Sequence, residues 1–210
     1  MAETDQHVAA LLLQSRAIIL EPLKPFTWAS GWKSPIYCDN RVTLSYPEIR
    51  DYIKEAFRKT ILKDFESPDL IAGVATGAIA QGALVADSMG LPFVYVRPSA
   101  KEHGRQNLIE GRLEAGQRVL VVEDLISTGG SSLKAVEALR EAGAEVLGMV
   151  AIFSYGFELA AENFRKAEVK LQTLTNYHTL IETALSTAYI QQDQVEMLQQ
   201  WRKDPSQWNG

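Results

Sequence analysis

Glu123 and Asp124, two adjacent carboxylates, close the apolar run 119–122, and Ser127, Thr128, Gly129, Gly130 and Ser131 follow after Leu125 and Ile126. A carboxylate pair in that position could hold a metal, act as acid and base, or accept hydrogen bonds from the vicinal hydroxyls of a sugar. The small residues behind it offer backbone N–H groups and hydroxyls that can converge on one anion, and glycine lets the backbone approach closely. A diol binder placed immediately before a phosphate binder describes a ribose 5-phosphate whose anomeric carbon is left free to react. The loop carries no lysine, so it is not a nucleoside-triphosphate P-loop, and no GxGxxG follows the first core strand, which disfavours a dinucleotide fold.

The flanking pattern supplies the elements that must hold this segment. Apolar spacing predicts strands near residues 70–75, 93–97, 118–123, 146–153 and 169–174, and helices near 77–89, 131–142, 157–166 and 177–188. Such alternation predicts an α/β three-layer sandwich with a mainly parallel central sheet. Ligands of open α/β sheets sit beyond the carboxyl ends of the strands, where strand order reverses. Residues 46–65 read as an amphipathic helix with Pro47 at a tolerated early position. Ahead of it, residues 8–20 have helical spacing and 26–40 read as a short hairpin, forming a small N-terminal hood. Residues 98–117 form a long polar connection, the kind that serves as a lid or binding loop. A last helix runs to about Lys203, followed by a tail expected to fray. The expected division is a hood at 1–45, a core at 46–190 and a terminal helix and tail at 191–210, one domain overall.

Composition narrows the partners. The 210 residues are 46% apolar, enough for a sizeable core, and the net charge of -5 argues against broad attraction to nucleic acid. Cys38 is the only cysteine, so no intrachain disulfide forms, and it has no recognisable base beside it. The acidic start of residues 1–16 and the lack of a membrane-spanning run lead us to expect a cytoplasmic protein. His7 and His178 lie in helices without evident ligand partners.

"VLVVEDLISTGGSS", residues 119–132, resembles the phosphoribosyl pyrophosphate (PRPP) motif of the type I phosphoribosyltransferases. "FTWASGWKSPIYCDNR", residues 26–41, and "VRPSAKEHGRQNLIEG", residues 96–111, are similar to the base-binding segment and catalytic loop of the orotate phosphoribosyltransferases in their short bacterial form. The resemblance implies a hood that receives the base, a mobile loop that acts on the neighbouring subunit's site, and hence a homodimer with shared sites. It implies transfer of a phosphoribosyl group from PRPP to N1 of orotate, in pyrimidine biosynthesis, with Mg²⁺ carried mainly by PRPP and no metal ligands assigned to the protein. Implied catalytic residues are Lys101, His103 and Asp124. PRPP would be held by these and by Arg97, Glu123, Leu125, Ile126, Ser127, Thr128, Gly129, Gly130 and Ser131; orotate would meet Ser127, Lys33 and Tyr37. Trp28, Trp32 and Ile36 are further candidates for packing on the base, and Arg105 for the pyrophosphate. The "ATGA" turn, residues 75–78, would face the phosphate loop.

The chain also departs from that family. Pro98 and Gly77 stand where many members carry lysines, Ala29 replaces another, and an arginine that meets the orotate carboxylate in some members is absent from "FSYG", residues 153–156. Lys33 or Arg41 is available to compensate. A purine or uracil phosphoribosyltransferase would share the PRPP motif and differ in the hood. A PRPP-sensing regulator of nucleic acid would need an added basic face or domain, which the sequence does not offer.

Overall fold

The computed structural model describes residues 2–27, 33–99, 108–205 and 207–208. In chain order these form α1 (Ala2–Gln14), β1 (Ile18–Leu20), β2 (Phe26–Thr27), β3 (Lys33–Ser34), β4 (Ile36–Cys38), a 3-10 segment (Asn40–Ser45), α2 (Pro47–Asp64), β5 (Leu70–Val74), α3 (Ile79–Met89), β6 (Phe93–Val96) and β7 (Ile109–Glu110). Then come β8 (Arg118–Ile126), α4 (Gly130–Glu141), β9 (Glu145–Ser154), α5 (Glu158–Lys166), β10 (Leu171–Asn176), α6 (Tyr177–Ser186) and α7 (Gln192–Lys203).

Six strands make one sheet in the order β10-β9-β8-β5-β6-β7, parallel throughout except for the β6–β7 edge pair. From β5 the chain moves outward to β6, and from β8 it moves the other way to β9. The β5–β8 junction is therefore the point where strand order reverses, and a crevice opens beyond its carboxyl ends.

Side chains alternate across each strand, and the two core clusters follow that alternation. Ile71, Leu120, Val122, Val150 and Ile152 face α1, α2, α3 and α6, where Phe57, Val85 and Leu180 pack on them. Leu70, Ala72, Val119, Val121, Met149 and Ala151 face α4 and α5, meeting Val136, Leu139 and Phe164. Helix boundaries have local causes. Pro47 stands at the start of α2, Gly90 closes α3 in the left-handed region at φ 65°, and the Asn176 side chain accepts from the Thr179 N–H to start α6.

Three expectations change. The helix read over residues 8–20 begins earlier and ends at Gln14, and Ile18–Leu20 is a strand. Ser15 turns its hydroxyl back to the Leu11 carbonyl and Arg16 takes φ 59°, which breaks the helix before β1 pairs with β4. The tail expected to fray instead returns Trp208 against the main core. The long connection contributes β7 to the sheet edge, while residues 100–107, with Lys101, His103 and Arg105, lie outside the described residues, as do Trp28 and Trp32. Among the described residues no helix is long and apolar enough to cross a membrane.

Candidate active site

The parity of β8 decides what the two acids do. Val119 and Val121 belong to the α4 side and Leu120 and Val122 to the other, so Glu123 and Asp124 leave the strand on opposite faces. Glu123 is 4% exposed; one oxygen accepts from the Ser132 hydroxyl of α4 at 2.7 Å and the other from the Asp124 N–H at 2.9 Å. Burial first, and then the neighbouring Asp124 carboxyl, push the proton affinity of Glu123 well above the usual carboxylate range. Asp124 is only half-buried and opens on the crevice, against the turn after β5. Two crowded carboxyl groups favour a ligand that brings hydroxyl donors or a cation.

That turn has no room to spare. A Cβ built on Gly77 would overlap the Asp124 carboxylate, so glycine at this position is what allows the "ATGA" turn to lie against the acid. From the hood, the buried Asn40 donates its side-chain amide to the Asp124 carbonyl at 2.6 Å.

The loop after β8 is built to leave donors free. Gly129 precedes α4 at φ 81°, with no side-chain cap on the helix N-terminus. Thr128, Gly130 and Ser131 are exposed and Ser127 half-buried, while Ile126 is fully buried and anchors the strand end. The loop rests on α5, where Asn163 donates to the Thr128 carbonyl at 3.0 Å and Phe164 packs so closely that a Cβ on Gly129 would stand 2.7 Å from its ring. The uncapped amides and the exposed hydroxyls are groups able to donate to an anion.

Two cavities flank this centre. One, of about 470 Å³, is lined by Phe26, Thr27, Tyr37, Cys38, Leu125, Ser127 and Tyr155. Its walls are aromatic or apolar with a few hydroxyls, dimensions and chemistry suited to a flat heterocycle. Tyr37 tilts against Phe26 at 5.6 Å, and Lys33 holds the rim by donating to the Thr27 hydroxyl at 3.0 Å. The other, of about 530 Å³, lies at the ends of β5 and β6 and includes Thr76, Tyr95, Arg97 and Pro98. Arg97 there faces Glu110 at 3.5 Å. A larger cavity of about 1080 Å³ lies between α1, α2 and α6, remote from the strand ends.

Asp124, Ser127–Ser131, Leu125 and Tyr37 thus converge on one crevice, with Lys33 at its rim and Arg97 on the far side of the β5 turn. Several candidates are placed elsewhere. Ile36 is fully buried in the core, and Arg41 is held by both Asp39 oxygens at 2.7 and 2.9 Å. His178 does have an acidic neighbour, Glu182 at 3.2 Å one helical turn on, but the pair is on the surface; His7 stacks near Tyr52. Sequence reasoning passed over Asn40, Ser132 and Tyr155. Each lies in a quoted stretch, Asn40 in 26–41, Ser132 in 119–132 and Tyr155 in 153–156, but nothing there set it apart from its neighbours.

Cys38 is half-buried and its thiol is pushed up by burial and by the Asp124 and Asp39 charges, which leaves it a poor nucleophile. Among the described residues no three His, Cys, Asp or Glu side chains converge as a metal cage.

A parallel sheet with an acid pair and an anion loop at its switch point defines a phosphoribosyl transferase, and the phosphoribosyl transferase domain family matches residues 43–185. The chain is 61% identical over 208 residues to the orotate phosphoribosyltransferase of Porphyromonas gingivalis, covering 99% of both chains. Among solved structures it is similar to the orotate phosphoribosyltransferase from Aeropyrum pernix, with TM-score 0.76 and 28% identity over 88% of this chain and 99% of that one. It is similar also to the UMP synthase of Leishmania donovani, with TM-score 0.80 and 26% identity over 95% of this chain and 42% of that one. The chain belongs to the orotate phosphoribosyltransferase family, whose members are glycosyltransferase-type enzymes.

Proposed function

We propose that the chain transfers the 5-phosphoribosyl group of PRPP to N1 of orotate, forming the C1′–N1 bond of orotidine 5′-monophosphate as the C1′–O bond to pyrophosphate breaks. One observation supports this most: Leu125 and Ser127 line the flat apolar pocket while belonging to the same β8 end and loop as Asp124 and the anion site. A base seated in that pocket faces a ribose whose hydroxyls meet Asp124 and whose phosphate meets Ser127–Ser131.

In this reading Asp124 accepts the ribose hydroxyls. Glu123, held by Ser132, reinforces it from beneath and keeps the strand end in register. The anomeric carbon gains oxocarbenium character, so the main contribution of the protein is fixed charge and alignment. Arg97, Lys101 and His103 stabilise the departing pyrophosphate, and Lys33 at the Thr27 rim is the cation assigned to the orotate carboxylate. A magnesium ion carried by PRPP would meet Asp124, an open carboxylate, and would supply positive charge to the departing pyrophosphate. Closure of the loop bearing Lys101 over a neighbouring subunit's site, in a cytoplasmic homodimer, completes the proposal.

The test is direct. Purified protein with PRPP and Mg²⁺ is followed by ultraviolet loss of orotate, with uracil, adenine and hypoxanthine in parallel. Consumption of orotate alone is expected; consumption of another base instead would overturn the pocket assignment, and consumption of none would overturn the enzymatic reading.

A further inference from the structure

The base pocket has a back wall that is held by the C-terminal helix α7. Tyr155 is 2% exposed, lines the pocket beside Cys38, and donates its own N–H to the Ile126 carbonyl at 3.1 Å, next to Ser127. On its other side stands α7. Trp201, fully buried, meets the Tyr155 ring edge-on at 5.7 Å and also packs near Phe157 and Tyr177. The next residue, Arg202, donates from Nε to the Tyr155 carbonyl at 3.0 Å and from Nη2 to the Gly156 carbonyl at 2.6 Å. Gly156 takes φ +64°, and a Cβ there would stand 3.0 Å from Nη2, so this turn requires glycine both for its dihedral and for the approach of the guanidinium.

These contacts fall on the "FSYG" turn, where the chain lacks the arginine that some relatives use. None of the side chains lining the pocket among the described residues is cationic. With Lys33 only at the rim, the fit of the base against the walls depends on where the Tyr155 wall stands. We infer that Arg202 is a positioning residue: from the C-terminal helix it clamps the Tyr155–Gly156 carbonyls, fixes the Tyr155 wall, and so sets affinity for the base without touching it. The planar fork suits two adjacent carbonyls in a way a single ammonium does not. The inference rests on reading this pocket as the orotate site.

Two measurements test it. Steady-state kinetics of Arg202→Ala should show the orotate KM raised about tenfold, as part of the loss of both charge-assisted hydrogen bonds reaches the base through the wall, with the PRPP KM within about twofold of the parent. Arg202→Lys should fall between the two, and Gly156→Ala should show the same split by displacing the guanidinium. Independently of turnover, Cys38 is the only cysteine in the chain and shares the pocket with Tyr155, so its rate of alkylation by iodoacetamide reports the wall. Arg202→Ala should raise that rate severalfold, with far-ultraviolet circular dichroism unchanged. An unchanged orotate KM together with an unchanged alkylation rate, or equal rises in both KM values, would overturn the inference. A parent protein that consumes no orotate would instead strike the function proposed above, and the alkylation comparison would still decide the role of Arg202.

Discussion

Asn40 reaches across 84 positions of sequence to donate its side-chain amide to the Asp124 carbonyl at 2.6 Å. The same Asn40 accepts from the Cys38 thiol at 3.5 Å, and its carbonyl accepts from the buried Thr43 hydroxyl at 2.6 Å. The hood that lines the apolar pocket and the strand that carries Asp124 are therefore joined by one buried residue. Replacing it with alanine leaves the 124 carbonyl without its partner, which costs about 1–3 kcal/mol. Asn40→Ala should lower Tm and weaken PRPP binding together, read by thermal unfolding and titration calorimetry. A fall in Tm with PRPP affinity intact would show that the bond stabilises the hood alone.

Gly77 lies against Asp124 so closely that any side chain must displace the carboxylate. Restoring the lysine that many relatives carry there should consequently weaken PRPP binding here, despite the added positive charge. Gly77→Ala, which adds bulk without charge, should show a similar loss. Calorimetry on both variants decides between steric and electrostatic control, and tighter binding by Gly77→Lys would reject the steric account.

Glu123 has a folded-state proton affinity raised above its unfolded one, so the native state disfavours its charged form. Stability is consequently highest below the unfolded value of about 4.3 and is lost as pH rises from there toward the folded value. Glu123→Gln can still accept from the Asp124 N–H and can donate to Ser132. Its Tm relative to the parent should be more favourable at pH 8 than at pH 4, and a pH-independent difference would refute the burial argument.

Asp69 behaves in the opposite sense. The Arg118 guanidinium and then its N–H lower the carboxyl to about 2. Its contribution is present above the unfolded value of about 3.9 and is lost as pH falls through about 2. Asp69→Asn should lower neutral stability slightly, because the pair is exposed, flatten the acid unfolding curve between those values by the same small amount, and match the parent below about pH 2. Acid titration followed by circular dichroism measures this.

The proposed sharing of sites between subunits makes a prediction of its own. Asp124→Asn and Lys101→Ala should each abolish most turnover, and mixing the two proteins should restore part of it, since a mixed dimer retains one site with both intact groups. Heterodimers that form without recovering activity would place the whole site in one subunit.

The alternation of strands and helices from residue 70 onward and the mainly parallel sheet were legible in the sequence because each depends on short-range pattern. The apolar run 119–122 ending in two acids and a glycine loop carries its own strand, turn and helix start. Sequence misplaced the end of the first helix because Ile18–Leu20 is apolar enough for either state, and pairing with β4 decides it. It named Asp124 among the catalytic residues and both acids as PRPP binders, but could not say that one of them is buried. Their separation into a buried acid under α4 and an open acid at the crevice follows from which face each helix covers, a long-range fact. The roles of Asn40, Tyr155 and Arg202 could not be read from the sequence around them, since they come from partners 84, 29 and 47 positions away that only the fold brings together. The sequence by itself determined the chemistry on offer; the tertiary structure decided which groups are buried, which are open, and what holds them there, because burial and hydrogen-bond geometry are properties of packed elements and not of neighbours along the chain.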